Sequence, residues 1–392
     1  MKFAKRMDRF GEGVFSKLAE IKKRKLEAGE QVIDLSIGAP NIPPVERIRK
    51  ILSEEAMKPE NYIYAISDQK ALLEAVSDWY QRRYGVTLDP ETEVCSLLGS
   101  QEGLSHIAMT IVDDGDLVLV PDPCYPVFAA GSLMAGAVPY YYPLVAEHDF
   151  LPYVKGIPEE VAKKAKYMVV SLPSNPVGSI ATPGLYEEIV EFAKKYDILI
   201  IHDNAYSDII FDGAFGGSFL ATPGAKEIGV EFFSLSKSFN VTGARLSFLV
   251  GRPDVIAALR KLRSQIDFGM FLPLQKAAIA ALEGPLDSVK EQCQMYQERR
   301  DALCQGLRDI GWELPNGKGT MFVWAKIPGG RTDSMAFCME LMEKAGVIVT
   351  PGASFGPHGE GYVRFALVLP PEKIREAVEA IGKSEITVTV TK

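Results

Sequence analysis

Cysteine is scarce in this chain. The 392 residues include five, at positions 95, 124, 293, 304 and 338, an odd number with no C-x-x-C pair. That pattern excludes a disulfide frame and a zinc ribbon, and reads as reduced thiols in a cytosolic protein. Histidine is scarcer still, with four dispersed residues, so no metal-ligand cluster is visible. No apolar run approaches the ~18 residues that a membrane-spanning helix needs. The start, Met1-Lys2-Phe3-Ala4-Lys5-Arg6, carries charge with no apolar stretch behind it, so it does not read as a secretory signal. Excess positive charge is also missing, the formal net charge being -8. That argues against nucleic acid or an anionic membrane as the principal partner, while a local basic pocket stays open. Internal repeats and low-complexity segments are absent.

What is present has globular texture: 47% hydrophobic and 24% charged residues, in a chain too long for one ordinary core. Strands are expected at residues 93–98, 117–121, 138–142, 167–172, 198–203, 231–235 and 246–250. Helical patterns intervene at 101–112, 125–134, 185–196 and 255–265. This alternation predicts an α/β fold, a mostly parallel seven-stranded sheet sandwiched by helices. The strands are nearly continuous apolar runs, as burial on both faces requires. After Gly284-Pro285 the texture changes. A long amphipathic helix at 286–310 carries Met295, Leu303 and Leu307 among charged residues. Strands at 320–327, 347–350 and 362–369 and helices at 334–345 and 371–381 follow, an α+β arrangement. The expected division is a large domain at 41–286, and a smaller one from 1–40 with 287–392. A helix at 14–26 is expected to pack on the second domain or on another subunit, and the Thr/Val tail 386–392 carries no signal.

Ligands of open α/β sheets bind beyond the carboxyl ends of strands. Four polar groups fall there. Gly99-Ser100-Gln101-Glu102-Gly103 opens a helix whose free N–H groups can cradle an anion, with Ser100 read as the N-cap; alone it would be an ordinary capped helix. Ser174-Asn175-Pro176-Val177-Gly178 would otherwise be a simple turn, but can aim an amide into a cleft. His202-Asp203-Asn204-Ala205-Tyr206 closes an apolar strand. A carboxylate there is costly unless paired, and a protonated pyridine nitrogen suits Asp203, with Tyr206 near a ring hydroxyl. His202 reads as a packing or orienting residue. Finally, Lys237 in Ser234-Leu235-Ser236-Lys237 lies eight residues before Arg245. A lone lysine at a strand end is normally a solvated charge. Beside hydroxyls and a guanidinium that hold a phosphate, it can form a Schiff base with the phosphate's aldehyde. An amine, a counter-ion for a ring nitrogen, donors to a ring oxygen and a phosphate clamp are the set that pyridoxal phosphate requires.

With these motifs in order, the chain resembles the class I/II aminotransferases of the fold-type I pyridoxal-phosphate superfamily. The likeness runs from Ile33-Asp34-Leu35-Ser36-Ile37-Gly38 to Tyr362-Val363-Arg364-Phe365. The Asn-Pro, Asp-x-x-Tyr and Ser-x-x-Lys-x7-Arg spacings carry it jointly. The resemblance implies that Lys237 bonds the cofactor and later shuttles a proton. It implies that Asp203 pairs the pyridine nitrogen, and that Asn175 and Tyr206 bond the ring oxygen. Tyr125 and Ala205 would flank the ring, and Ser100, Gln101, Ser234 and Arg245 would bind the phosphate. Tyr64 would reach the phosphate of a neighbouring subunit, implying a homodimer. Arg364 and Gly38 would hold the substrate α-carboxylate. The implied partners are an amino acid and a 2-oxo acid, with glutamate and 2-oxoglutarate as the habitual pair.

Three positions depart from the pattern. Gln69 stands where glycine is usual, Pro-Val-Gly replaces Pro-Thr-Gly after Asn175, and Leu246-Ser247-Phe248 follows the phosphate arginine. Within the family the texture is most similar to bacterial LL-diaminopimelate or aspartate aminotransferases, as in Thr320-Met321-Phe322-Val323-Trp324-Ala325. Lys2, Lys5, Arg6, Arg9 and Arg263 are candidate cations for a distal substrate carboxylate. A carbon–sulfur β-lyase on the same cofactor is the alternative reading, since it would share Lys237, Asp203 and Arg364. No metal is expected.

Overall fold

The structure is a computed structural model and describes residues 2–10, 15–267, 269–384 and 386. The first residue of the helix expected at 14–26, and most of the tail, lie outside the described residues. In chain order the strands are β1 (Ile33–Asp34), β2 (Val94–Leu97), β3 (Leu117–Asp122), β4 (Val138–Pro143), β5 (Ala165–Ser171) and β6 (Leu199–Asp203). They continue as β7 (Gly229–Ser234), β8 (Ser247–Gly251), β9 (Phe322–Lys326), β10 (Val347–Ile348), β11 (Thr350–Pro351) and β12 (Tyr362–Ala366).

Seven of these form one sheet in the order β2-β8-β7-β6-β5-β3-β4. Every pairing is parallel except those of β8, which runs against both neighbours. Period-two alternation explains why the strands read as continuous apolar runs. Met168, Val170, Ile200 and Phe233 enter the core on one face, while Tyr167, Val169, Ile201 and Phe232 enter a second core on the other. Each buried aromatic or aliphatic side chain contributes roughly 1.5–3 kcal/mol, so a one-residue slip of register would bury neither face correctly.

The antiparallel strand sets the geometry of the site. β7 returns through residues 235–246 into β8, which pairs beside it antiparallel with Ser234 opposite Ser247. The short helix Leu235–Ser238, which carries Lys237, and Arg245 both sit in that one connection, at the same end of the sheet.

A third core lies beyond the sheet. It joins β9 and β12, which pair antiparallel, to the helices Asp287–Asp309, Ser334–Ala345 and Pro371–Lys383. Tyr206, Ile209 and Phe211 belong to this core although they follow β6 in the chain. The helix Phe15–Glu27 docks on the helix Ser334–Ala345, where Arg24 pairs with Glu343 and Lys25 donates to the Glu343 carbonyl at 3.1 Å.

Two expected elements divide. The helix expected at 101–112 is the α-helix Ser100–His106 followed by a 3-10 turn, Ile107–Thr110. The strand expected at 347–350 splits: β10 pairs with β1 and β11 pairs with β12, so the chain changes partners at Val349. No helix among the described residues is long and apolar enough to cross a membrane.

Candidate active site

The carboxyl ends of β5, β6 and β7 open onto a cavity of about 410 Å³. It is lined by Lys237, Asp203, Asn175, Tyr206, Ala205 and Tyr125. Ser100, Gln101, Ser234 and Arg245 also line it, as do Gly38 and Arg364. The structure thus gathers every sequence-predicted site residue except Tyr64, although they are scattered over more than 300 positions of sequence. Tyr64 is 76% exposed and lies elsewhere on the surface, near exposed Tyr62, Ile63 and Ile66.

Lys237 is partly buried. Its Nζ donates to the Gly38 carbonyl at 3.3 Å and sits 5.9 Å from the Tyr206 ring centre. Burial lowers its pKa to about 8, with Arg245 and Arg364 adding to the fall and Asp203 opposing it. At that value about a tenth of the amines are neutral at pH 7, against roughly three in ten thousand for an ordinary lysine.

Asp203 ends β6 with its carboxylate buried. Ser171 donates to Oδ2 at 3.3 Å, and the Ala205 N–H also bonds the group. Oδ1 has no partner in the chain. Burial raises the pKa to about 6, and His202 acts in the other direction. A buried carboxylate with one bare oxygen facing a cavity is expensive unless something cationic fills the space.

Arg364 on β12 is the matching cation. Its guanidinium donates to Asn175 Oδ1 at 2.9 Å, the Ser36 carbonyl at 3.1 Å and Thr350 Oγ1 at 3.4 Å. It lies between two aromatic rings, 4.0 Å from the centre of Phe322 and 4.6 Å from that of Phe355. No described carboxylate pairs with it, and burial lowers its pKa to about 10. A buried guanidinium held by neutral oxygens and ring faces is able to receive an anion. A side chain at Gly38 would come within 2.7 Å of the Phe322 ring, so glycine keeps backbone close to this receptor.

Arg245 adopts a left-handed conformation (φ 55) and donates to the Thr242 carbonyl at 3.0 Å. A Cβ on Gly99 would collide with its guanidinium, and Gly99 itself has φ 90. The N-cap of the helix is therefore Gly99. This corrects the expectation for Ser100, which is the first helical residue and whose buried Oγ has no partner. Ser234 caps Lys237's short helix by accepting from the Ser236 N–H at 3.2 Å. Tyr125 donates to Gln101 Oε1 at 2.8 Å, which joins two residues of the cavity lining.

Gln69 is harmless where glycine is usual. Its φ is −64, open to any residue, and its N–H donates to Gln275 at 2.9 Å. Arg263 does not line the cavity. Its guanidinium is buried against Asp267, at 2.9 Å, and the Ser96 carbonyl, beside a separate hollow. Lys2, Arg6 and Arg9 do not line it either, and the Lys5 side chain lies outside what is described. No cation beyond Lys237, Arg245 and Arg364 lines the cavity among the described residues. Phe322, Ser236 and Thr242 do line it and escaped the sequence reading. Phe322 opens β9 in an apolar run, where nothing marks it as other than core. No three His, Cys, Asp or Glu among the described residues are placed to hold a metal.

A mostly parallel α/β sheet with an amine, a buried carboxylate and two anion receptors around one cavity defines a fold-type I group-transfer protein. The chain belongs to the family described as aminotransferase class I and II, whose pattern matches residues 30–381. It is 47% identical over 369 residues to the LL-diaminopimelate aminotransferase of Moorella thermoacetica, covering 93% of this chain and 94% of that one. The protein of the same name from Desulforudis audaxviator is 44% identical over 379 residues, with 96% of each covered. Among solved structures, substrate-bound BacF from Bacillus subtilis superposes with a TM-score of 0.93 at 36% identity, over 98% of both chains. A probable N-succinyldiaminopimelate aminotransferase from Thermus thermophilus does so with 0.90 at 37% identity, over 95% of this chain and 100% of that one.

Proposed function

We propose that the cavity holds pyridoxal phosphate and exchanges an amino group between an L-amino acid and a 2-oxo acid. LL-diaminopimelate is the leading donor, and glutamate/2-oxoglutarate is one pair. The observation that carries the cofactor is the bare Asp203 Oδ1 in the same cavity as a depressed lysine and an unpaired buried arginine. The names borne by relatives over more than nine-tenths of the chain support the donor.

When bound, the cofactor supplies an aldehyde carbon for amine exchange and a cationic ring that draws electrons from the substrate Cα. The chain does the rest. Lys237, partly neutral, would hold that carbon until the substrate amine takes its place, and the freed lysine amine would then move the Cα proton. Asp203 keeps the ring nitrogen protonated, which satisfies its own stranded oxygen. Asn175 and Tyr206 donate to the ring oxygen; Asn175 can do so through Nδ2, because its Oδ1 is taken by Arg364. Tyr125 and Ala205 close on the two ring faces. Ser100, Gln101, Ser234 and Arg245 hold the phosphate. Arg364, with the Gly38 backbone, grips the substrate α-carboxylate and orients the Cα–H bond toward Lys237.

In this reading residues 41–286 form the cofactor domain and 1–40 with 287–392 the smaller one. Two copies pair so that Tyr64 of each reaches the other's phosphate. The exposed cluster of Tyr62, Ile63, Tyr64 and Ile66 supports that pairing.

The test is a panel of amino donors against 2-oxoglutarate with added pyridoxal phosphate. LL-diaminopimelate is expected to yield glutamate. No glutamate from any donor would overturn the reading, and pyruvate with ammonia in its place would indicate β-elimination.

A further inference from the structure

Behind the cavity, on the other face of the sheet, lies a charge cluster that the chemistry above leaves unused. Glu231 on β7 is fully buried and accepts five hydrogen bonds. Tyr80 Oη at 2.8 Å, Ser218 Oγ at 2.8 Å and Asn204 Nδ2 at 3.2 Å meet Oε1. The Phe219 N–H meets Oε2 at 2.9 Å, and His202 Nδ1 lies 2.9 Å from the same oxygen. The His202 Nε2 in turn lies 3.1 Å from the Tyr186 hydroxyl. Burial works to raise the pKa of Glu231, but the bonds from His202, Asn204 and Ser218 outweigh it and hold the group below its usual range.

Two of these partners flank the site. His202 directly precedes Asp203, and it is the register partner of Glu231 across β6 and β7. Asn204 directly follows Asp203, and its peptide leads to the Ala205 N–H that bonds the Asp203 carboxylate. The Asn204 amide also donates to the Gly217 carbonyl at 3.0 Å, so the segment that presents Ala205 and Tyr206 to the cavity is tied down by the same side chain.

We propose that Glu231 is a positioning residue: acting through His202 and Asn204, it fixes the Asp203 carboxylate and the Ala205–Tyr206 turn against the ring that the cavity receives. This rests on the reading of Asp203 as the ring-nitrogen partner. A saturated buried carboxylate is an expensive way to hold a loop if packing alone is needed. A charged acceptor takes five donors at fixed angles, which an apolar side chain cannot do.

The experiment compares wild type, E231Q and Y80F for pyridoxal-phosphate affinity of the apoprotein, visible circular dichroism of the bound form, and melting temperature. E231Q keeps the shape and loses the charge. It is expected to bind the cofactor about tenfold more weakly, the scale found when a group behind a ligating side chain is removed. It should also lose most of the dichroism, and lower kcat with little change in donor KM. Y80F removes one donor that does not come from the segment flanking Asp203, and should lower the melting temperature while leaving the spectrum in place. If E231Q does not fold, H202Q breaks the link from the other end and carries the same expectation. Unchanged affinity and dichroism in the folded variant would overturn the proposal. So would changes that merely track lost melting temperature in Y80F as well. A wild-type protein that takes up no pyridoxal phosphate would instead sink the functional reading on which the proposal rests.

Discussion

Two buried charge clusters lie back to back across β6 and β7, built on opposite principles. Around Glu231 each carboxylate oxygen is satisfied by the chain itself, through at least two donors apiece. Around Asp203, Lys237 and Arg364 the bonding stops short: Asp203 Oδ1, Ser100 Oγ and Arg364 Nε are all buried without partners. A carboxylate saturated by the chain belongs to the architecture, although the Asn204 Oδ1 beside it is itself without a partner. An unsaturated cluster, facing a cavity, is a mould for a ligand, and the atoms left bare describe it: a cation for Asp203, anions for Arg245 and Arg364.

The comparison can be broken at several points. The largest effect is expected at Lys237. Lys237→Ala should lower turnover by more than about a thousandfold and abolish the visible absorbance of the lysine-linked cofactor, while the fold persists; single-turnover kinetics and spectra check both. Arg364→Ala should cost about 10²–10³-fold in kcat/KM for the amino donor, or roughly 3–4 kcal/mol. Arg364→Lys should not restore it, because the planar fork is what fits the carboxylate.

Asp203→Asn tests the unsaturated side through stability. The folded pKa of Asp203 is raised from 3.8 to about 6, so the native state holds this proton more tightly than the unfolded chain. Stability from this group is full below pH 3.8 and is lost as pH rises through 6. The neutral asparagine escapes that loss. The cofactor-free variant should exceed wild type by on the order of 3 kcal/mol at pH 7 and show no advantage near pH 3.5 in urea unfolding. Equal stability at both pH values would mean that Asp203 is not stranded. The smallest effect concerns Tyr64: Tyr64→Phe should weaken cofactor binding about tenfold, the worth of one bond to a charged group. Mixing it with a Lys237→Ala chain should restore part of the activity if the tyrosine crosses between copies.

Much of the site was legible because it sits at strand ends. Double burial made six of the seven sheet strands into apolar runs, the edge strand β4 being largely exposed, and a polar residue at the end of such a run, such as Asp203, or just past it, such as Lys237, has few reasons to be there other than chemistry. What escaped was whatever shares its signal with ordinary packing. Phe322 beneath Arg364 looks like any core aromatic in a strand. The helix Leu272–Glu283 buries Pro273, Ala277, Ala278, Ala281 and Leu282 against the helices Glu46–Ala56 and Lys70–Tyr84, so little periodicity marks it out. The Glu231 cluster was invisible because its members are far apart in sequence and only strand register joins them. At Gly99 the sequence favoured a hydroxyl cap, but left-handed backbone and the approach of Arg245 decided in favour of glycine.

The reversed direction of β8 acts as a ruler. Because Ser234 faces Ser247, the segment between them is a closed span, and Lys237 and Arg245 are pinned at a separation the sheet dictates. Inserting even one residue there would stretch that span or shift the pairing, whereas loops elsewhere can grow without touching it. The amine and the guanidinium thus share one closed span, and the distance between them is governed by hydrogen bonds of two strands to which neither residue belongs.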